Sequence, residues 1–219
     1  RALKGVGPGL AKPLERLGLE RVKDVLYHFP NSWTYRKAVS CLDVADVGNN
    51  IILTVTVMDH RGGSSPRAPL RIFAADSGGN YITLTFFGRN GGWARKQLPV
   101  GEQRIISGKL DRYGDELQMV HPDHVVPIGS DASPGLAEPI YPLSDGITNK
   151  RMGQLAAASL QDIPDLADWI EPTLLSSRGW SGWSASINIV HNKDDQGARD
   201  RLAYDELFSN QLAMRLIRA

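Results

Sequence analysis

Residues 86–96, FFGRNGGWARK, crowd Phe86, Phe87 and Trp93 among the cations Arg89, Arg95 and Lys96. Flat apolar rings beside guanidinium and ammonium groups suit stacking on unpaired bases combined with pairing to phosphates. The alternation of Leu84, Phe86 and Gly88 with Thr85 and Phe87 has the period of a half-buried strand. That period sets Phe87 on the face opposite Phe86, so at least one of the two rings points away from the interior. Trp93 follows six residues after Phe87 and is the second candidate stacking ring.

Other chemistries find little support. The chain contains no G-x-x-x-x-G-K-[ST], no G-x-S-x-G and no C-x-x-C. His121 and His124 flank Pro122 and Asp123 as HPDH, which reads as strand-end packing because no further ligands stand at metal-binding spacing. His28 reads as a packed or capping histidine, and Asp194 and Asp195 as the cap of a final helix. Cys41, between Ser40 and Leu42, reads as a buried small residue with nothing to activate it. No catalytic residue and no metal ligand are therefore assigned.

The elements that must position the aromatic and basic cluster can be read in order. Helices are predicted over residues 8–17 and 21–28, the first ending at Gly18 and the second before Pro30. Gly5-x-Gly7 with Ala11 and Leu14 matches the hairpin signature of helix-hairpin-helix motifs, whose glycines let backbone N–H groups approach a phosphate. A packing hairpin without a ligand is the other reading, and Pro13 departs from the motif. Strands follow at residues 51–58, 70–75 and 81–88, then at 103–110 and 116–126 across a turn at 111–114. Five strands with a helical turn between the third and fourth is the order of an OB-fold, which binds oligonucleotides across strands 2–3 and with two of its loops. Those loops are residues 60–69, with Arg61 and Arg67, and residues 111–115, with Arg112 and Tyr113. Residues after Ile128 are rich in Pro, Gly and Ser and read as an extended linker. Helices then run over 150–160 and 198–219, and between them Trp180 and Trp183 read as buried indoles stapling a Gly/Ser loop onto a core, with a stacking surface as the other reading. The last helix carries Leu202, Leu207, Leu212, Leu216 and Ile217 mostly on one stripe. The predicted class is mixed α+β: an N-terminal helical region (1–45), a five-stranded OB-fold β-barrel (46–130), and a C-terminal linker and helical extension (131–219).

Length and composition agree with this division. At 219 residues, 42% hydrophobic and 22% charged, the chain can bury one real core or two small ones. One cysteine excludes an intrachain disulfide framework and suits a reducing cytoplasm, the expected location. No apolar run approaches the roughly 20 residues that span a bilayer, and no export leader is evident. Arg1 is not a start residue and the last residues read as helix, so both ends look cut. The net charge of +1 conceals blocks: residues 1–37 balance at +5, 38–83 at −1, 84–113 at +4 and 114–219 at −7. Such asymmetry is what a local polyanion site needs, although solvated faces give it too.

These residues also carry a resemblance. LKGVGPGLAKPLERLG, VKDVLYHFP, LTFFG, ISGKLDRYGDELQMVHPDHV, EPIYPLSDGIT and RDRLAYDELFSNQLA resemble, in order and over nearly the whole chain, the N-terminal portion of the RecG branched-DNA helicases. The resemblance implies an OB-fold wedge domain that holds a DNA branch point and splits its arms, as part of recombination and repair. It also implies a following superfamily 2 motor as a further partner, with ATP and magnesium bound there; no cofactor and no ATPase activity are expected in this segment. The family's branch-point aromatics correspond to Phe87 and, across a longer gap than the family's usual spacing, Trp93. The expected DNA-binding residues are thus Phe87, Trp93, Arg89, Arg95, Lys96, Arg112, Tyr113, Arg67 and Arg61, on a monomer with no membrane contact. Two alternatives stay open. One is an OB-fold module docking a protein through the acidic C-terminal half, and the other an RNA- or tRNA-binding OB module.

Overall fold

The computed structural model describes residues 3, 6–63, 68–88, 91–131 and 133–218. It contains two compact units, one of residues 34–138 and one joining residues 1–33 to 139–219. The larger parts of the segments expected as first and third regions, residues 1–33 and 139–219, therefore share a unit, while residues 34–45 and 131–138 fall in the other. The chain passes between the units within strands β1 (Ser32–Tyr35) and β10 (Ala137–Ile140), which pair as a separate two-stranded ribbon.

The unit of residues 34–138 is built on strands β2 (Lys37–Ala38), β3 (Asn50–Gly62), β4 (Leu70–Ala75), β5 (Tyr81–Phe86), β6 (Gln103–Lys109), β7 (Asp111–Tyr113), β8 (Glu116–Val120) and β9 (His124–Pro127), with helix α3 (Gly91–Gln97) between β5 and β6. Neighbouring strands run β7-β8-β5-β4-β3-β6-β9, and β2 pairs parallel with β3. The β5–β8 pair is parallel, while the other ladders along the path are antiparallel. Ile51, Leu53, Val55 and Val57 point inward at period 2 along β3, and a bulge between Val57 and Asp59 shifts the register thereafter. These residues join Leu70, Ile72, Leu84, Phe86, Leu98, Ile106 and Met119 in one core.

The sheet differs from the predicted closed five-stranded barrel. Among the described residues the ladders join eight strands with no closing pair found, β7 and β9 standing at the ends of the path. Two local features explain the extra strands. Past buried Leu110, the start of the segment expected as a turn, residues 111–113, pairs as β7. The expected strand 116–126 breaks into β8 and β9 because His121 turns at φ 48° ahead of Pro122, which has no N–H for a ladder. The half-buried reading of β5 is also corrected. Thr83 and Thr85 are buried along with Leu84 and Phe86, since β5 is an inner strand of the path.

An ionic group joins the two ends of this unit in sequence. The Arg36 side chain, 2% exposed, donates to Glu138, whose other partner His124 stands 2.9 Å away. The His124 hydrogen bond holds the Glu138 carboxyl down at about 2, against burial and with help from Arg36. His124 thus sits in an ion network as well as at a strand end. Among the described residues no group of three or more His, Cys, Asp and Glu is placed to hold a metal. Cys41 is exposed, contrary to expectation: Leu42 takes the inward position and Cys41 faces Ser77 at 3.8 Å.

The other unit is helical, with α1 (Pro8–Arg16), α2 (Val22–Leu26), α4 (Asn149–Leu160), α5 (Pro172–Arg178), α6 (Trp183–Asn192) and α7 (Gln196–Arg218). One cluster gathers Leu14, Val25, Tyr141, Ile147, Met152 and Leu155; another gathers Leu26, Ile187, Val190, Ala198 and Leu202. His191 bridges Tyr141 Oη at 3.1 Å and the Leu26 carbonyl at 3.0 Å, and burial lowers its pKa while pushing Tyr141 up to about 12. His28 packs as expected, its ring 2.9 Å from the Pro142 carbonyl. Asp195 caps α7 by accepting the Ala198 N–H.

Of the two tryptophans expected to staple a loop, Trp183 does pack against the Leu26 and Leu202 cluster, but from a helix and not from a loop. Trp183 opens α6 and donates to Tyr27 Oη at 3.0 Å, while Trp180 tilts against Tyr204 beneath Arg178. The stripe on α7 is largely uncovered. Leu202 is buried, but Leu207, Leu212, Leu216 and Ile217 are exposed. No helix among the described residues is long and apolar enough to cross a membrane. Gly5, part of the N-terminal hairpin signature, lies outside the described residues.

Candidate nucleic-acid interface

The end of strand β5 delivers Phe86, and Phe87 directly after it, to opposite surroundings. Phe86 is 2% exposed and belongs to the core, whereas Phe87 is 51% exposed. Trp93, on α3, is 51% exposed and sets its ring against Phe86 at 6.4 Å and 65°. The His121 ring meets Phe86 edge-on at 6.0 Å and 88°, and meets Phe87 at 5.8 Å and 47°. One buried ring therefore supports Trp93 on one contact and His121 on another, and His121 supports Phe87. The Phe87 N–H donates to His121 Nε2 at 3.2 Å. Half-exposed rings held against neighbouring rings suit stacking, since little ordering remains to be done when a base arrives.

The ladders bring cations to the same rim. Leu70 pairs with Phe86, Arg71 with Thr85, and Arg61 with Arg71, so the β3–β4 hairpin ends beside the aromatic group. Arg95 Nη2 donates to the Gly62 carbonyl at 2.7 Å, and its Nη1 lies 3.4 Å from His60 Nδ1. His60 Nε2 meets the Leu98 carbonyl at 2.6 Å, which places the ring proton there and leaves Nδ1 to accept. Arg95 thus ties the hairpin to α3 while remaining exposed. Arg61 pairs with Asp59 at 2.9 Å and lies over Phe73 at 4.8 Å. The Arg61 hydrogen bond holds the Asp59 carboxyl below its usual range. Lys96 is exposed on α3. Arg67 and Arg89 lie outside the described residues.

Arg112 and Tyr113 are elsewhere. Tyr113 pairs with Glu116, and Gln118 pairs with Thr83, so the β7–β8 turn lies toward the Tyr81 end of β5. At about 3.3 Å per residue that is roughly 20 Å from Phe87. Arg112 also holds its own turn, donating to the Gly114 carbonyl at 2.8 Å and Asp115 at 3.0 Å. Tyr113 is 72% exposed.

Two rim residues escaped the sequence reading. Arg71 is exposed on β4 between buried Leu70 and Ile72; that alternation is the signal, but only the register shows its neighbours. The HPDH spacing predicts strand-end packing for His121, yet it is exposed and shares contacts with both phenylalanines. Its neighbour Pro122 was the available cue to a turn. The charge blocks also change meaning on folding. The unit of residues 34–138 contains eleven Lys/Arg and eleven Asp/Glu, so its basic character is local to the rim and not general.

The family model for the RecG wedge domain matches residues 1–163. The chain is 29% identical to the ATP-dependent DNA helicase RecG of Acidithiobacillus ferridurans over 99% of its length and 32% of that protein's. It is 27% identical to the RecG of Aquifex aeolicus strain VF5, over 93% of this chain and 28% of that one. It therefore spans about a third of the length of these curated relatives. Its fold is similar to that of RecG in the solved structure of RecG bound to a three-way DNA junction. That match has a TM-score of 0.75 at 24% identity and covers 99% of this chain and 30% of the other. With three quarters of its sequence within the family model, the chain belongs to the RecG wedge domain family.

Proposed function

We propose that the chain binds branched DNA, forks and four-way junctions, as the wedge module of an ATP-dependent branch-migration helicase. The observation that carries this reading is the pair of half-exposed rings at one rim, Trp93 set against buried Phe86 and Phe87 against His121. A branch point presents bases already free to stack, whereas unstacking a base inside an intact duplex costs a few kcal/mol. Arg61, Arg71, Arg95 and Lys96 around the rim supply phosphate contacts, and Arg67 and Arg89 adjoin them in sequence. Arg112 and Tyr113, at the far end of β5, would meet a different part of a DNA arm.

The finer fold reading is an OB-fold. Its support is the strand order β8-β5-β4-β3-β6, with a parallel β5–β8 pair and only Leu110 between β6 and β7. In this reading residues 46–130 form the DNA-binding part, and the helicase motor with its ATP and magnesium is a partner segment. A protein-docking role is favoured by a separate observation, the exposed Leu207, Phe208, Leu212, Leu216 and Ile217 on α7.

Binding of a synthetic fork, a four-way junction, linear duplex and single strand of matched length, at one fixed salt concentration, tests the reading. The fork and junction should bind more tightly than linear duplex, with little dependence on sequence. Replacing Phe87 and Trp93 together by Ala should remove most of that preference. Equal affinity for fork and linear duplex in the unaltered protein would overturn the wedge reading in favour of protein docking.

A further inference from the structure

We infer that His121 is a positioning residue for the stacking ring of Phe87, fixing the end of β5 so that the ring stands ready for a base. The inference rests on the branched-DNA reading and names a residue that the reading does not require.

The ladder between β5 and β8 runs parallel, and the His121 N–H donates to the Thr85 carbonyl at 2.9 Å. The next rung would need a backbone carbonyl facing the Phe87 N–H. None is offered, because the chain turns away at His121 and Pro122. The His121 side chain replaces it, with Nε2 accepting the Phe87 N–H at 3.2 Å. An acceptor at Nε2 places the ring proton on Nδ1. The same imidazole is tilted against Phe87 at 5.8 Å and 47° and stands T-shaped to buried Phe86 at 6.0 Å. Phe87 is thereby held through both its backbone and its ring.

Two observations set this apart from ordinary packing. His121 is exposed, so little burial rewards its placement. It is also the one described non-glycine residue with a positive φ, at 48°, and it precedes a proline, which disfavours that region. Such backbone strain persists only where surrounding structure holds it, and it gathers at functional sites. Without the acceptor, Phe87 would stand one residue beyond the end of β5 and ahead of Gly88 at φ 71°, free to fray. A ring that must be ordered on binding loses affinity for the branch and not for the phosphates of a plain duplex.

Two substitutions tolerate the left-handed angle, His121→Gly and His121→Asn. Each is made alone and with Phe87→Ala in the full chain. The measurements are affinity for a synthetic fork and for linear duplex, and hydrogen exchange at the Phe87 amide. Both single variants should speed exchange at that amide. Both should lower the fork-to-duplex affinity ratio by about threefold to tenfold, the worth of a hydrogen bond. In the Phe87→Ala background neither should lower the ratio further, since residues acting through one another are not additive. An unchanged ratio in the His121 variants, when Phe87→Ala alone reduces it, would overturn the positioning role. So would an equal loss on fork and duplex, which marks a phosphate contact, or a loss in His121→Gly alone, which marks backbone freedom. If Phe87→Ala leaves the ratio untouched, the stacking reading itself falls and this inference falls with it.

Discussion

One peptide bond separates Phe86 from Phe87, yet Phe86 is 2% exposed and Phe87 51%. The buried ring is both a core residue and the support of Trp93 and His121, so fold and candidate site meet at β5. Substitutions at the two positions should therefore report on different quantities.

Phe86→Ala should destabilise the protein by about 3–5 kcal/mol, through lost transfer free energy and the cavity left behind. Phe87→Ala should leave thermal stability nearly unchanged and weaken fork binding about five- to 150-fold, the worth of one base stack of about 1–3 kcal/mol. Calorimetry and fork titration on the same two variants separate these effects. A large drop in melting temperature with Phe87→Ala would mean that its ring serves packing.

The difference between the two rings was legible because alternation over Leu84, Phe86 and Gly88 is a local property of a strand. The rest of the rim was not. Arg71 reaches it only through the registers of β4 with β3 and β5, which depend on residues distant in sequence. Arg112 and Tyr113 seemed equivalent to Arg61 until pairing set their turn at the other end of β5. Helix α6 went unread because INIV, rich in β-branched residues, suits a strand locally. Burial of Ile187 and Val190 against Leu26 and Leu202 overrides that preference. Strand 116–126 was read as continuous because period-2 patterning says nothing about one residue at positive φ.

Electrostatics gives a second prediction. Rim cations in contact with phosphates release counterions, so log K for a fork should fall with log salt at about −0.9 per phosphate neutralised on duplex arms. Arg71→Ala should make the slope shallower by about one unit and weaken all sequences alike. Arg112→Ala should leave it unchanged for a fork whose arms are too short to pass the far end of β5. A slope near zero for the unaltered protein would identify the rim cations as a solvated face.

Acid should act through Glu138. The His124 hydrogen bond, opposed by burial and assisted by Arg36, holds this carboxyl at about 2 in the folded protein, against an ordinary value of 4.5. A carboxyl with a lowered folded value stabilises the fold above its unfolded value and loses that contribution as pH falls. The loss should run from about 4.5 down to about 2. Melting temperatures across that window should fall more steeply in the unaltered protein than in Glu138→Gln. Parallel declines would assign the acid sensitivity to other carboxylates.

The last prediction concerns Gly62, where the β3–β4 hairpin is tied to α3. Its φ is 76°, and a Cβ built there would stand 2.4 Å from the Pro69 carbonyl oxygen, which is backbone and cannot swing aside. Gly101 also has a positive φ, 86°, but a Cβ there would meet nothing within 4 Å. Both Gly→Ala changes incur the left-handed penalty of about 1–2 kcal/mol, so the difference between them isolates the clash. Gly62→Ala should lower the melting temperature further than Gly101→Ala. It should also weaken fork binding, because forcing the hairpin apart moves the carbonyl that Arg95 grips at 2.7 Å and shifts Arg61 and Arg71 with it. Gly101→Ala should leave fork affinity unchanged. Equal stability losses would show that the hairpin relaxes around the added methyl. Unaltered fork binding by a folded Gly62→Ala variant would remove the hairpin from the interface.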